Sequence, residues 1–341
     1  MTRADLASIP VYVPGRRLEN ALKLSSNEVA FSPLPAAVAA LTEAASGANR
    51  YPDMGAVELR AALSEHLEVR PEQITVGCGS SALCQQLVQA TCAAGDEVVF
   101  PWRSFEAYPI FAQVAGAVPV AVPLTAEHSH DLDAMAAAIT ERTRLIFICN
   151  PNNPSGTTIT EQQFADFMAK VPEHVVVGLD EAYFEFNRAA DTPVATEEIH
   201  RHDNVIGLRT FSKAYGLAGL RIGYAFGNTE LIAAMNKVAI PFAVSSVAQA
   251  AALASLNASD ELMDRIEEVV DKRDAVATAL GAASSQGNFV WLPGPGAAEL
   301  AEKLAAHGVV IRALPEGARV TVTDGPEMER LLAAWEAVHA G

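Results

Sequence analysis

Short apolar segments alternate with helical patterns through the middle of the chain, and this alternation constrains the fold more than any other feature. The strand-like segments, rich in β-branched and aromatic residues, are residues 74–78, 97–101, 117–123, 144–150, 175–180, 204–210 and 221–227. Helical patterns between them cover residues 80–94, 105–114 and 160–170, the last with Thr160 as its N-cap. Apolar strands separated by helices are typical of a mostly parallel sheet covered on both faces. The sequence therefore predicts an α/β fold with a three-layer α/β/α large domain.

The pattern changes after residue 259. Residues 260–280 have the periodicity of one long amphipathic helix. Three short strand-like segments (NFVWLP, GVVIRAL and ARVTVTD) follow, with helical patterns near residues 297–307 and 326–340. A chain of 341 residues suits more than one core. We therefore expect a large domain over residues 40–258, and a smaller α+β domain of residues 259–341 together with an N-terminal arm, residues 1–39.

Charge and composition exclude several classes of function. The formal net charge of −17 argues against a nucleic-acid partner, which needs a basic surface. Two long uncharged runs, residues 74–95 and 238–259, are rich in Ala, Ser and Gln, and they indicate buried elements rather than membrane spans. The N-terminus lacks the apolar core of a signal peptide, and the four cysteines lack metal or redox spacing. We expect a cytoplasmic protein with reduced thiols and no membrane partner.

Polar residues follow several of the predicted strands, at the sheet edge where α/β proteins bind ligands. Ser80 and Ser81 open a helix after the first strand, where free N–H groups suit a phosphate; a plain serine N-cap is the alternative. The loop 150–156 (NPNNPSG) presents Asn153. Asp180 ends an apolar strand, and Tyr183 follows it by three residues. A carboxylate at such a position is costly to bury unless it is paired.

Lys213 stands among small and apolar residues, after Ser212 and before Arg221. A structural lysine at the edge of the core is the alternative to a functional one. Together with the groups at the same sheet edge, Lys213 matches the needs of pyridoxal 5′-phosphate. The phosphate binds a helix N-terminus and an arginine, the pyridine nitrogen binds a carboxylate, and the aldehyde binds a lysine with a depressed pKa.

The segments SKAYGLAGLRIGY, NPNNPSG, DEAYFEF, RYPD and LSSNE together resemble the fold-type I aminotransferases, specifically the histidinol-phosphate aminotransferase subfamily. The resemblance covers essentially the whole chain. It implies that Lys213 binds the cofactor aldehyde and acts as general base, and that Asp180 binds the pyridine nitrogen. The other implied cofactor contacts are Asn153 and Tyr183 at the ring hydroxyl, Phe105 stacked on the ring, and Ser80, Ser81, Ser212 and Arg221 at the phosphate.

The resemblance also implies a homodimer and a set of substrate contacts. Tyr51 would reach the phosphate of the neighbouring subunit's cofactor. Arg319 would bind the substrate α-carboxylate through bidentate hydrogen bonds. The alternative is a solvated arginine on a strand. Asn27 would lie on the substrate side, and Tyr12 would close over an aromatic or imidazole ring. Histidinol phosphate needs a second anion-binding group, for which Arg312 is the candidate.

Three segments depart from the pattern of the histidine pathway: NEVAFSPLP, GCGSSAL and WRSFEAYPI. They resemble the branch that acts on aromatic amino acids. We therefore predict transamination of phenylalanine, tyrosine and tryptophan with 2-oxoglutarate, and keep histidinol-phosphate aminotransferase as the alternative. A lyase or decarboxylase would retain Lys213 and Asp180 but give different products. A pyridoxal-binding regulator would carry a DNA-binding segment, which does not occur here.

Two further patterns carry no prediction of a site. His128 and His130 lie near Asp131 and Asp133, but a solvated loop and helix start explains them better than a metal centre, so no metal is predicted. No GxGxxG fingerprint supports a dinucleotide.

Overall fold

The computed structural model describes residues 2–340. Within this range the strands are β1 (Leu22–Leu24), β2 (Ile74–Gly77), β3 (Glu97–Trp102), β4 (Val118–Pro123), β5 (Thr143–Cys149), β6 (Val176–Asp180), β7 (Val205–Thr210), β8 (Gly223–Gly227), β9 (Phe289–Pro293), β10 (Val309–Leu314) and β11 (Gly317–Thr321). The α-helices are α1 (Pro35–Ala45), α2 (Val57–Leu67), α3 (Gly79–Thr91), α4 (Tyr108–Val114), α5 (Leu132–Ala137), α6 (Glu161–Met168), α7 (Ala195–Arg201), α8 (Thr229–Val238), α9 (Ser246–Leu256), α10 (Ser259–Leu280), α11 (Ala297–Ala306) and α12 (Gly325–His339).

Seven strands form one large sheet in the order β2-β8-β7-β6-β5-β3-β4. The pairs from β4 to β7 are parallel, and β8 runs antiparallel to both of its neighbours. Successive side chains of β5 enter different cores: Leu145 and Phe147 pack on one face, and Ile146 and Ile148 on the other. Because side chains alternate along a strand, this division means that both faces of the sheet are covered. The predicted three-layer α/β/α fold with a mostly parallel sheet is confirmed.

The second sheet has four strands in the order β1-β10-β11-β9. β1 adds parallel to β10, while β10, β11 and β9 are antiparallel. The N-terminal arm therefore supplies an edge strand, which was not predicted because three residues carry too little alternation to recognise. The division into two domains stays a prediction. Its second boundary coincides with the start of α10, whereas its first falls inside α1, which packs against α9.

Several element boundaries differ from the predicted ones. The helix predicted from residue 105 begins at Tyr108, with Pro109 in its first turn, so Phe105 lies in the preceding loop. β8 begins at Gly223 because Arg221 has a left-handed backbone, with φ of 55°. The helices α1, α2, α5, α7, α8 and α9 were not predicted individually. The predicted cap of α6 by Thr160 and the long α10 are confirmed.

The cysteine side chains differ in their exposure. Cys84 and Cys149 are buried, and Cys78 and Cys92 are partly buried. Burial raises the pKa of Cys149 to about 12, so this thiol stays protonated. Among residues 2–340, no helix is long and apolar enough to cross a membrane.

Candidate active site

A cavity of about 500 Å³ opens at the carboxyl ends of the parallel strands, between the two sheets. Most of the residues predicted for the site line it: Tyr12, Asn27, Ser80, Ser81, Phe105, Asn153, Asp180, Tyr183, Ser212, Lys213, Arg221, Arg312 and Arg319. Tyr51 lies apart from this lining. It is 83% exposed, and its ring centroid is 4.7 Å from that of Phe242.

The register of the sheet explains why these residues meet. Cys149 at the end of β5 pairs with Asp180 at the end of β6, and β7 ends beside them. Gly223, the first residue of β8, pairs with both Thr210 and Gly77, so it brings the ends of β7 and β2 to the same place. The loops that follow β2, β5, β6 and β7 therefore meet at one edge of the sheet, as the sequence predicted.

The corner of the cavity beside α3 is rich in hydrogen-bond donors. Ser80 and Ser81 lie in the first turn of α3, and Arg221 Nη1 donates to Ser212 Oγ at 3.3 Å. Ser80 is not an N-cap, because Cys78 occupies that position without a side-chain bond. Gly79 has φ of +78°, and a Cβ there would lie 2.6 Å from Arg221 Nη2. Three hydroxyls, a helix N-terminus and a guanidinium can together hold a phosphate dianion.

Asp180 provides a buried carboxylate deeper in the cavity. It is 3% exposed, and its Oδ2 accepts a hydrogen bond of 2.6 Å from the Tyr108 hydroxyl. Burial raises the pKa of Asp180 to about 6, while the bonds from Tyr108 and the Ala182 N–H act in the opposite direction. Sequence reasoning missed Tyr108. The available signal was a tyrosine in an apolar helix, whose hydroxyl needs a partner once the ring is buried.

Lys213 is held by backbone carbonyls from the N-terminal arm. Its Nζ donates to Ser26 O at 3.3 Å and to Asn27 O at 3.2 Å, and it lies 5.7 Å from the centre of the Tyr183 ring. Burial, together with the positive charge of Arg319, lowers the pKa of Lys213 to about 7. Arg221 acts in the same direction with a smaller effect than Arg319. Lys213 is therefore a lysine whose amine is substantially neutral near pH 7.

Arg319 lies across the cavity from the large sheet and is 8% exposed. Its Nη1 donates to Asn153 Oδ1 at 2.5 Å and its Nη2 to Ser25 O at 2.9 Å. Its buried Nε has no hydrogen-bond partner among residues 2–340. A buried guanidinium with an unused donor is suited to a carboxylate, and the alternative of a solvated strand arginine is wrong.

A hydrogen-bonded chain connects the small sheet to the cavity. Thr321 Oγ1 donates to Asn27 Oδ1 at 3.1 Å, and Asn27 Nδ2 donates to the Tyr183 hydroxyl oxygen at 2.9 Å. Burial raises the pKa of Tyr183, so its hydroxyl remains protonated. Since that oxygen accepts from Asn27, its proton is available to an acceptor within the cavity.

Arg312 lines the cavity as predicted, but it already has a carboxylate partner. Its Nη2 lies 2.6 Å from Glu106 Oε2 and donates to Val13 O at 2.9 Å. The sequence singled out Arg312 as a candidate anion-binding group and did not identify Glu106. A separation of 206 residues makes this pair invisible to local patterns.

Glu181 and the residues around His130 have structural surroundings. Glu181 pairs with Arg209 at 2.8 Å, and both side chains are buried. Asp131 caps α5, as expected of a helix start. The expectation of a solvated loop is wrong for His130, which is 5% exposed and whose pKa burial lowers to about 4. Residues 2–340 contain no group of three or more His, Cys, Asp or Glu residues placed to hold a metal ion.

The arrangement agrees with comparisons to known proteins. The family model described as aminotransferase class I and II matches residues 19–334. The chain is 81% identical to an aromatic amino acid aminotransferase from Corynebacterium glutamicum (strain R) over the full length of both chains. It is 66% identical to one from Corynebacterium diphtheriae, again over the full length of both.

The chain also resembles a solved structure, histidinol-phosphate aminotransferase from Sinorhizobium meliloti in complex with pyridoxal-5′-phosphate. The TM-score is 0.89 and the identity 29%, over 99% of this chain and 97% of that one. The family resemblance inferred from the motifs is confirmed. The chain belongs to the class I and II aminotransferases.

Proposed function

We propose that this aminotransferase uses pyridoxal 5′-phosphate to transfer the amino group of phenylalanine, tyrosine or tryptophan to 2-oxoglutarate. The observation that carries the proposal is the environment of the Lys213 amine. Its amine has a pKa of about 7 and shares one cavity with the carboxylate of Asp180 and the guanidinium of Arg319. A neutral amine can bind an aldehyde and can take up a proton, whereas an ordinary surface lysine at this pH can do neither efficiently.

The residues present fit the cofactor at both of its ends. The donors of Ser80, Ser81, Ser212 and Arg221 would hold its phosphate, and the Asp180 carboxylate would hold a protonated ring nitrogen. Asp180 has a hydrogen-bond partner for Oδ2 in Tyr108, so the carboxylate is oriented as well as buried. When bound, pyridoxal 5′-phosphate supplies an electron sink for negative charge that develops at the substrate Cα.

The protein side of the reaction follows from the same contacts. The Arg319 guanidinium, which lines the cavity, would bind the substrate α-carboxylate and fix the orientation of Cα. The Lys213 amine, directed by the carbonyls of Ser26 and Asn27, takes the proton from Cα. Positioned proton transfer of this kind contributes roughly 10²–10⁴-fold. The Tyr183 and Asn153 side chains would donate to the ring hydroxyl, and Phe105 would cover the ring face.

Aromatic side chains suit the remaining surface of the cavity. Tyr12, Phe105, Ile110 and Phe111 line it and offer apolar contacts. The relatives with 81% and 66% identity are aromatic amino acid aminotransferases, which supports the same substrates. Histidinol phosphate remains the second candidate because the protein from Sinorhizobium meliloti has the same fold at 29% identity.

We further propose a homodimer in the cytoplasm. Tyr51, Met54, Val57, Ile240 and Phe242 are large apolar residues that are all exposed. A partner subunit would cover such a surface and would receive Tyr51 at its cofactor phosphate. Four free cysteines support a reducing compartment. Sedimentation of the holoenzyme would give twice the monomer mass; a monomer mass at micromolar concentration would contradict the dimer.

A substrate-pair assay tests the function. The holoenzyme is given 2-oxoglutarate with either phenylalanine or histidinol phosphate, and both the oxo acid and glutamate are measured. We expect equal amounts of phenylpyruvate and glutamate, with a higher kcat/KM for phenylalanine. A strong preference for histidinol phosphate would overturn the proposed substrate. Release of ammonia or CO₂ without glutamate would indicate a lyase or a decarboxylase instead.

A further inference from the structure

Two arginines face the cavity from neighbouring positions in the small sheet. Arg312 on β10 is directly opposite Arg319 on β11 in the antiparallel register, and both line the cavity. Residues opposite each other in this way have Cβ atoms about 5 Å apart. Burial lowers the pKa of Arg319, and the positive charge of Arg312 acts in the same direction. Left to itself, such a pair would bind a substrate that carries two anionic groups.

Glu106 changes the charge of this pair. Four cationic side chains line the cavity: Lys213, Arg221, Arg312 and Arg319. Among residues 2–340, Arg312 is the one member of this set with a carboxylate oxygen within 4 Å, from Glu106 at 2.6 Å. The Arg312 and Glu106 side chains are only 11% and 29% exposed, so water screens their interaction weakly. Arg319 therefore keeps its positive charge, whereas the charge of Arg312 is neutralised.

We propose that Glu106 is a specificity-determining residue: by holding Arg312 in an ion pair, it favours substrates with an uncharged side chain over substrates that carry a second anionic group. The inference rests on the proposed transamination and deepens it. A second carboxylate, including that of the proposed acceptor 2-oxoglutarate, would have to displace Glu106 from Arg312 and would then lie beside a negative charge. A phenyl ring needs no partner there and meets no such repulsion. Specificity of this kind comes from a repulsive element as well as from attractive contacts.

The position of Glu106 supports this role. It follows Phe105 directly, in the loop between β3 and α4, so the aromatic contact surface and the carboxylate are presented by adjacent residues. Arg312 also donates to Val13 O, next to Tyr12 in the N-terminal arm. The same ion pair therefore also connects the arm to the cavity. A purely structural connection would affect all substrates alike, and this difference separates the two roles.

The test compares Glu106→Gln with a matched control, Glu316→Gln. Glu316 pairs with Arg103 at 2.9 Å and is not part of the cavity lining, so the control removes the same charge from a nearby ion pair. Two quantities are measured on each holoenzyme. One is kcat/KM for phenylalanine, which has one carboxylate, and for glutamate, which has two. The other is the Kd of two unreactive acids, 3-phenylpropanoate with one carboxylate and glutarate with two, determined by calorimetry.

For Glu106→Gln we expect the substrate preference to shift toward compounds that carry two anionic groups. The ratio of kcat/KM for glutamate to that for phenylalanine should rise by about tenfold or more, because a like charge beside the second carboxylate is removed. The affinity for glutarate should rise relative to 3-phenylpropanoate by a similar factor. Glu316→Gln should leave both ratios within about twofold of the wild-type values, because its charge lies outside the cavity lining. Adding Arg312→Leu to Glu106→Gln should abolish the rise in both ratios, because the guanidinium that Glu106→Gln frees from its ion pair is then absent.

Unchanged ratios in Glu106→Gln, or an equal loss for all four compounds, would overturn the inference and leave a structural connection. A gain that persists in the double variant would overturn it as well. Failure of the wild-type enzyme to transaminate phenylalanine would contradict the proposed function by itself. The calorimetric comparison does not depend on turnover, so it would still decide the role of Glu106.

Discussion

Replacing Tyr108 with phenylalanine removes the hydroxyl that donates to Asp180 Oδ2 at 2.6 Å. The ring should stay in place, because it stacks on Phe147 with centroids 4.4 Å apart. The bond lowers the pKa of Asp180, so its loss should raise that pKa above its present value of about 6. Since the ionised carboxylate is the form that would bind a protonated ring nitrogen, the variant should bind pyridoxal 5′-phosphate less well at neutral pH.

The size of the effect follows from the kind of bond that is lost. A hydrogen bond to a charged group contributes about 1.5–3 kcal/mol, which corresponds to a change of roughly one to two in pKa. The pKa of Asp180 should therefore rise from about 6 to between about 7 and 8. At pH 7 the ionised fraction would fall from about 90% to between about 50% and 10%. The affinity for the cofactor should fall in proportion.

Calorimetric titration of the cofactor-free protein with pyridoxal 5′-phosphate, repeated from about pH 5.5 to 8.5, measures this change. Wild-type affinity should decline below about pH 6, and the variant should begin its decline between about pH 7 and 8. The ligand titrates identically in both experiments, so the difference belongs to the protein. Tyr224→Phe is the control, since that buried hydroxyl has no hydrogen-bond partner among residues 2–340. Identical pH dependence in wild type and Tyr108→Phe would refute the reasoning.

Three other substitutions test separate parts of the account. Arg319→Leu should lower kcat/KM for amino acids by about 10–100-fold through loss of a charged hydrogen-bonding group, and activity within twofold of wild type in steady-state assays would contradict its assigned role. Gly79→Ala should displace Arg221, because the new Cβ would lie 2.6 Å from Nη2. Titrations should show weaker binding of pyridoxal 5′-phosphate but little change in the binding of pyridoxal. An equal loss of affinity for both would count against a phosphate site. Arg209→Met should destabilise the fold by about 3–5 kcal/mol, since it leaves the Glu181 carboxylate buried and unpaired. Urea unfolding measures this loss in the free energy of unfolding. A change below about 1 kcal/mol would contradict the prediction, because it would mean that the pair contributes no more than an exposed ion pair.

The sequence was informative about the site where function depends on the ends of strands. Asp180 and Lys213 follow apolar runs whose strand character is strong, and parallel strands bring their carboxyl ends to one edge. The position of Asn153 could be predicted for the same reason. The resemblance added Arg319, and the structure explains it through its unused donor and its bond to Asn153.

Other features could not be predicted because they arise from contacts between distant segments. The carbonyls of Ser26 and Asn27 that hold Lys213 belong to a loop with no marked pattern, and any residue there would supply the same backbone group. The pairing of Glu106 with Arg312 joins the loop after β3 of the large sheet to strand β10 of the small sheet. The helix α1 is rich in alanine, which gives a weak periodic signal, and so it was not assigned from the sequence.

The central claim is that the Lys213 amine binds the cofactor aldehyde, and reduction followed by peptide mapping tests it most directly. The holoenzyme is reduced with borohydride and digested with trypsin, and Lys213→Ala protein is treated in parallel. A pyridoxyl group on Lys213 blocks cleavage there, so we expect the tagged peptide to run from Thr210 to Arg221, with no tag in the variant. A tag on any of the other lysines, or no tag in the wild-type protein, would contradict the account.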